Sequence, residues 1–259
     1  MKRILKISVM VLLVMGTLFL LSFADQKHQV NRYQSFSISI LNASEHDLIS
    51  EKEIRDIVTE RFGKIEGTMI TLINLNELET MIRNNPYVAT CEVYQTISGE
   101  LNMIVTVRSP LVRVMNDSGQ QYYIDQMGYI VPVTFAHPSH VPIASGNISD
   151  RYVMIGQGER ALASLPDSSV LRQIYPVALV ISRDDFLKSF IDQIFINDQK
   201  EIELVPKMGK QQILFGSSEN ARQKLDNLKA FYTKIMNKMD WNTYKIINIK
   251  YNNQVVCSK

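Results

Sequence analysis

The chain has 259 residues, with 28 Lys and Arg against 26 Asp and Glu, a formal charge of +2. That near balance excludes the strongly basic face with which nucleic-acid binders neutralise phosphates. Two cysteines, Cys91 and Cys257, are too few for a small fold stapled by disulfides, so both are expected to be unpaired and the fold to rest on its hydrophobic cores.

The N-terminus carries Lys2, Arg3 and Lys6, followed by an uncharged apolar run over residues 7–24. Roughly 17–25 apolar residues in a helix cross a bilayer core. The run is at the short end of that range and reaches residue 4 if Lys6 snorkels to the headgroups. Three cations precede it, so the N-terminus is expected in the cytoplasm and the rest of the chain outside. The alternative is a signal peptide cleaved after Ala24, with the small residues Ser22 and Ala24 at the cleavage positions. The run exceeds the usual signal core, which favours a retained anchor. Residues 25–35 are polar and read as a linker. Beyond it there is chain enough for one large or two ordinary domains.

Phe36, Ile38 and Ile40 alternate with serines, the period of a strand with one apolar face. Ser50 with Glu53 offers a capping box to a helix whose stripe is Ile54, Ile57, Val58 and Phe62, with Gly63 as its stop. Asn74, followed by Glu77, opens a second helix with the stripe Leu75, Leu78 and Ile82, ended by Asn84-Asn85-Pro86. Two alternating strands follow, over residues 89–94 and 101–108, joined at Ser98-Gly99. The predicted order is β-α-α-β-β, with both helices on one face of a three-stranded sheet. This order just outside a membrane resembles a POTRA domain. Asn85-Pro86-Tyr87-Val88 with Cys91-Glu92-Val93 resembles the turn and strand of the FtsQ/DivIB cell-division family, Cys91 standing at its small alanine-like position.

Ser109-Pro110 marks the expected junction, giving domains over 36–109 and 110–259. Strands are predicted at 111–115, 121–125 and 129–133, with Asn116-Asp117-Ser118-Gly119 and Gln126-Met127-Gly128 as turns. Tyr122-Tyr123-Ile124-Asp125…Gly128 and Pro142-Ile143-Ala144-Ser145-Gly146 resemble segments of the same family's second domain. Residues 150–164 have weak periodicity. A helical stripe at Leu171, Ile174 and Tyr175 is expected to break at Pro176, and Phe186, Leu187 and Phe190 suggest a short helix. Strands are predicted at 193–196, 201–205 and 212–215. A long helix capped at Gly216-Ser217 follows, striped by Leu225, Leu228, Tyr232, Ile235, Met236 and Met239 and ended by Asp240-Trp241-Asn242. A final strand runs over 245–251 and continues to Val256. The fold class is therefore α+β: an N-terminal transmembrane helix, a POTRA-like domain, and a mixed β-rich domain with a long C-terminal helix and a final strand.

Chemistry is sparse. The histidines His28, His46, His137 and His140 stand beside no nucleophile signature, and no H-E-x-x-H is present. His137 and His140 lack a clear third ligand for a metal. Gly156 and Gly158 are followed by no lysine of a phosphate loop. Asp125 reads as a turn residue before Gly128 rather than as a catalytic acid. No catalytic, cofactor or metal site is expected, which leaves binding. An edge strand presents unpaired N–H and C=O groups that a partner strand can satisfy. The candidate is the run 245–256. Its residues alone leave open whether it is an edge or an interior strand with Ile247 and Ile249 in the core.

The tail elements Phe215-Gly216, Lys224-Leu225…Leu228…Phe231-Tyr232, Trp241…Tyr244 and Ile249-Lys250-Tyr251…Gln254-Val255-Val256 extend the resemblance to most of the chain. What the resemblance implies is a non-enzymatic, single-pass division protein of the inner membrane. Its domains would lie in the periplasm, scaffolding septal assembly within the divisome. It also implies that the last strands and final helix receive FtsB of the FtsB–FtsL coiled-coil pair, here through Tyr244, Ile247, Ile249, Tyr251 and Val255, with Lys229 and Tyr232 as secondary contacts. The POTRA-like domain would contact other division proteins. The alternatives are another POTRA-bearing export or envelope-assembly factor and an anchored periplasmic hydrolase.

Overall fold

The structure, a computed structural model, describes residues 14–17, 32–41, 48–152, 160–236, 243–251 and 254–259. The expected membrane anchor, apart from the helical residues 14–17, lies outside the described residues, as do most of the linker and the helix stop at Trp241. Among the described residues no helix is long and apolar enough to cross a membrane. The chain divides into two units, one built on Met1–Leu41, Glu51–Ile82 and Thr90–Val105, the other on Asn42–Ser50, Arg83–Ala89 and Thr106–Lys259.

The smaller unit is mixed α/β. Its elements are β1 (Ser35–Leu41), α1 (Glu51–Phe62), α2 (Leu75–Arg83), β2 (Val88–Gln95) and β3 (Glu100–Val107). The sheet order is β1-β3-β2. Phe36 and Ile38 are buried while Ser35, Ser37 and Ser39 are exposed, the alternation a one-faced strand requires. In β3 the buried set is Leu101, Met103, Val105 and Val107. Ile54 and Val58 of α1 and Leu78 and Ile82 of α2 supply the helical side of the core. The Asn74 side-chain oxygen accepts from the backbone N–H groups of Asn76 and Glu77, at 3.1 and 3.3 Å, and so caps α2.

The larger unit carries a ten-stranded mixed sheet. Its elements are β4 (Pro110–Met115), β5 (Gln121–Asp125), β6 (Tyr129–Pro132), β7 (Ile143–Gly146), β8 (Arg160–Ala161), α3 (Leu171–Ser182), α4 (Asp185–Phe190), β9 (Ile191–Ile196), β10 (Ile202–Pro206), β11 (Gln212–Gly216), α5 (Ala221–Lys234), β12 (Ile246–Asn248) and β13 (Val256–Ser258). The order is β13-β12-β11-β10-β9-β7-β4-β5-β6-β8. The antiparallel hairpin β4–β5 and the run β9–β10–β11 are joined through β7, which pairs in parallel with both β4 and β9. Gly146, at φ 97, ends β7 where a Cβ would meet the Ile196 carbonyl oxygen at 2.2 Å, so only glycine lets β9 come this close. One core joins the sheet to the helices, with Leu171, Ile174, Val177 and Ile181 of α3 and Leu225, Leu228 and Phe231 of α5 within it.

Three expectations change. First, α3 does not break at Pro176 but runs on to Ser182. The proline forfeits one i→i−4 bond, and burial of the apolar stripe on both sides of it holds the helix together. Second, Gly216-Ser217 does not cap the long helix. Gly216, at φ 79, turns the chain out of β11, and α5 starts after Asn220, itself at φ 54. Third, the long helix is followed by two short strands rather than one. β12 lies between β11 and β13, so it is an interior strand and the sheet edge belongs to β13.

Candidate functional site

The C-terminal end of the larger unit is built by a crossover. β11 and β12 are parallel, with Gln212, Ile213 and Leu214 opposite Ile246, Ile247 and Asn248. Parallel neighbours need a long connection, and α5 provides it. Lys224, buried to 4% exposure, sends its Nζ to the carbonyls of Ser217 at 2.9 Å and Phe215 at 3.2 Å and lies over the Phe215 ring. It thus ties the first turn of α5 back to the end of β11, and burial pushes its pKa down. At the outer side of α4, Asp184 accepts from Leu187 N–H as the N-cap of α4 and from Lys229 Nζ at 2.7 Å. The Lys229 hydrogen bond holds the Asp184 carboxyl below its ordinary value.

From β12 the chain passes Tyr251 and returns as β13, antiparallel, with Ile246, Ile247 and Asn248 opposite Ser258, Cys257 and Val256. Val256 and Ser258 are exposed and Cys257 is half-buried against the core. The alternation turns Cys257 inward and Val256 and Ser258 outward, and among the described residues β13 has no strand on its outer side. Beside it lies a groove of about 400 Å³ lined by Asn227, Ala230, Phe231, Lys234 and Ile235 of the last turns of α5 and by Gln254 and Val255 of the returning chain. Ile235, expected on the buried stripe, is 48% exposed at the groove wall.

The residues singled out by sequence fall into four groups. Tyr251 is exposed, and Val255 lines the groove while packing on the core. Tyr244 packs on the core with its ring 6.3 Å from that of Phe231. Ile247 and Ile249 are 0% and 1% exposed, and Tyr232 is 2% exposed with its ring 4.3 Å from that of Phe190. These three hold the edge in place from behind and offer no side-chain surface to a partner. Burial raises the Tyr232 phenol pKa, keeping it neutral. Lys229 is occupied by Asp184. The groove also brings in Asn227, Ala230 and Lys234, and the edge Val256, which the sequence did not single out. The signal for β13 was present in the period-two run Val256-Cys257-Ser258, but its shortness hid it.

A second polar cluster lies at the open end of the β4–β5 hairpin. Arg108 and Asp125, with side chains 3% and 2% exposed, form an ion pair at 2.6 Å. The other Asp125 oxygen accepts from the N–H groups of Met127 and Tyr129 at 2.9 and 2.7 Å, so Asp125 is the turn residue its sequence suggests. The Arg108 guanidinium lies 4.3 Å from the centre of the Tyr129 ring. Every feature of this cluster serves packing, and none exposes a reactive group. Among the described residues no group of three His, Cys, Asp or Glu side chains is arranged to hold a metal ion. What the C-terminal edge can do chemically is bind: backbone groups for a strand and a groove for apolar side chains.

Comparison with known proteins adds two findings. Residues 109–258 match the family FtsQ/DivIB, C-terminal related. Residues 33–106 match the POTRA-like domain. No curated protein matches the chain.

Proposed function

The chain belongs to the family FtsQ/DivIB, C-terminal related, and from that membership we propose that it is a non-enzymatic, membrane-anchored scaffold of cell division. It crosses the inner membrane once through residues 4–24 and holds its POTRA-like and β-rich regions, over 36–109 and 110–259, in the periplasm. Its C-terminal edge receives a strand or helix of an FtsB–FtsL-like coiled-coil pair. The supporting observation is the end of the ten-stranded sheet, where β13 is open on one side next to the α5 groove. In this reading Val256, Tyr251, Val255 and Lys234 make contact, while Tyr244, Ile247, Ile249 and Tyr232 form the support. Lys229 acts through its bond to Asp184.

Site-specific photo-crosslinking in living cells tests this reading. Probes replace Val256 and Tyr251, with a control at Met208, which is exposed in the β10–β11 turn. A crosslink to a small coiled-coil membrane protein from the first two positions only supports the edge. Equal crosslinking from all three, or normal division after deletion of residues 254–259, overturns it.

A further inference from the structure

The smaller unit gathers exposed apolar side chains where the chain enters it. Arg32 forms an isolated antiparallel bridge with Met69. Its guanidinium donates to the Gly67 carbonyl at 2.5 Å. Tyr33 N–H donates to Thr68 O at 2.9 Å, and Gly67 N–H donates to Tyr33 O at 2.8 Å. The turn that follows, Ile70–Leu72, is a single 3-10 turn fixed at its flanks by buried Ile65 and Ile73. It nevertheless presents Met69 at 41% and Leu72 at 70% exposure. The β2–β3 turn reaches the same place. Gln34 N–H donates to Gly99 O at 2.9 Å, and a Cβ on Gly99 would lie 3.1 Å from the Arg32 carbonyl oxygen. Ile97, at the tip of that turn, is fully exposed.

Two exposed cations, Arg32 and Lys64, flank these apolar residues. Glu66, half-buried, is the one carboxylate in residues 64–72; residues 96–99 carry no charge, and the exposed Glu100 follows at the start of β3. Apolar tips rimmed by cations match the interfacial layer of an anionic bilayer. The chain's own length supplies the occupant. Only residues 25–31 separate the apolar run from Arg32, and seven residues span at most about 25 Å. Arg32 is therefore held within that reach of the bilayer surface, together with the turns bonded to residues 32–34.

We propose that Met69, Leu72 and Ile97 seat in the headgroup layer of the membrane in which residues 7–24 are anchored, with Arg32 and Lys64 on anionic lipid phosphates. This second lipid contact rests on the anchor reading. It fixes which end of the smaller unit faces the membrane.

The test uses the full chain in vesicles of phosphatidylcholine and phosphatidylglycerol, in a Cys257→Ser background. Leu72→Cys, Ile97→Cys and Leu41→Cys are each labelled with an environment-sensitive dye and challenged with lipids brominated near the headgroup. Leu41 is an exposed apolar control at the far end of β1, about 20 Å from Ser35 by strand rise. The expected result is about threefold more quenching at 72 and 97 than at 41, lost in vesicles of neutral lipid with Lys64→Glu. A chain that floats with the vesicles but quenches equally at all three positions overturns this contact alone. A chain that does not float overturns the anchor reading and the contact with it.

Discussion

The Arg108–Asp125 cluster and the C-terminal edge are two regions of one sheet, and they are built in opposite ways. At the first, both charges are buried, they neutralise each other, and the spare carboxylate oxygen is consumed by two backbone N–H groups. At the second, a three-residue strand leaves Val256 exposed, Tyr251 is exposed ahead of it beside a groove, and Ile247, Ile249 and Tyr232 are buried behind the strand. A buried cluster whose charges pair with each other serves the fold. An unsaturated edge adds little to the fold and can accept a partner. Burial and charge alone therefore do not separate a packing cluster from a candidate site; unused bonding capacity is what sets the proposed edge apart.

The sharpest way to break this contrast is Asp125→Ala. It deprives buried Arg108 of its carboxylate and two amides of their acceptor, and is expected to cost about 3–5 kcal/mol in urea unfolding. Replacing the pair together, Arg108→Met with Asp125→Leu, is expected to recover much of that loss. A cost below 1 kcal/mol for Asp125→Ala alone would mean that the buried ion pair does not hold the hairpin. Val256→Asp should do the reverse. It leaves unfolding unchanged within about 0.5 kcal/mol and, if the proposed coiled-coil pair docks here, weakens its capture about tenfold, measured by titration of the purified proteins. If stability falls with affinity, the edge is part of the core after all.

Lys229 lies between the two cases, because its partner Asp184 is partly exposed. Lys229→Ala is expected to cost about 0.5 kcal/mol. The sign of the pH effect follows from the lowered Asp184 pKa. The stabilisation is present above the ordinary carboxylate range and is lost as pH falls through the lower folded value. Comparing acid unfolding of the wild type and Lys229→Ala should show a small gap that closes in that window.

Much of this was legible in the sequence. Period-two runs such as Phe36-Ser37-Ile38 and stripes such as Ile54 with Val58 report local burial, and local burial is what periodicity encodes. Asn74 could be recognised as a cap because its bonds close within three residues. The residues of 245–256 left edge and interior strand open because strand order is not local. Residues 245–251 look terminal in sequence, yet a parallel crossover through α5 sets β12 inside the sheet and leaves the outer place to three later residues. Pro176 misled for a related reason, since the packing that outweighs one lost hydrogen bond comes from distant elements. The groove was invisible because Gln254 and Val255 meet Asn227 and Lys234 only in three dimensions.

The placing of Arg108 and Asp125 bears also on which alternative pairings the chain avoids. Arg108 lies just before β4 and Asp125 closes β5, at the open end of a hairpin whose other end is the turn at Asn116–Gly119. A two-residue slip is the smallest misalignment that keeps every side chain on its own face, and hydrophobic patterning barely penalises it. Here such a slip would carry a buried cation away from its anion. The same pair that holds the correct hairpin together thus makes its nearest face-preserving misalignment costly, because a slip would strand Arg108 without its carboxylate.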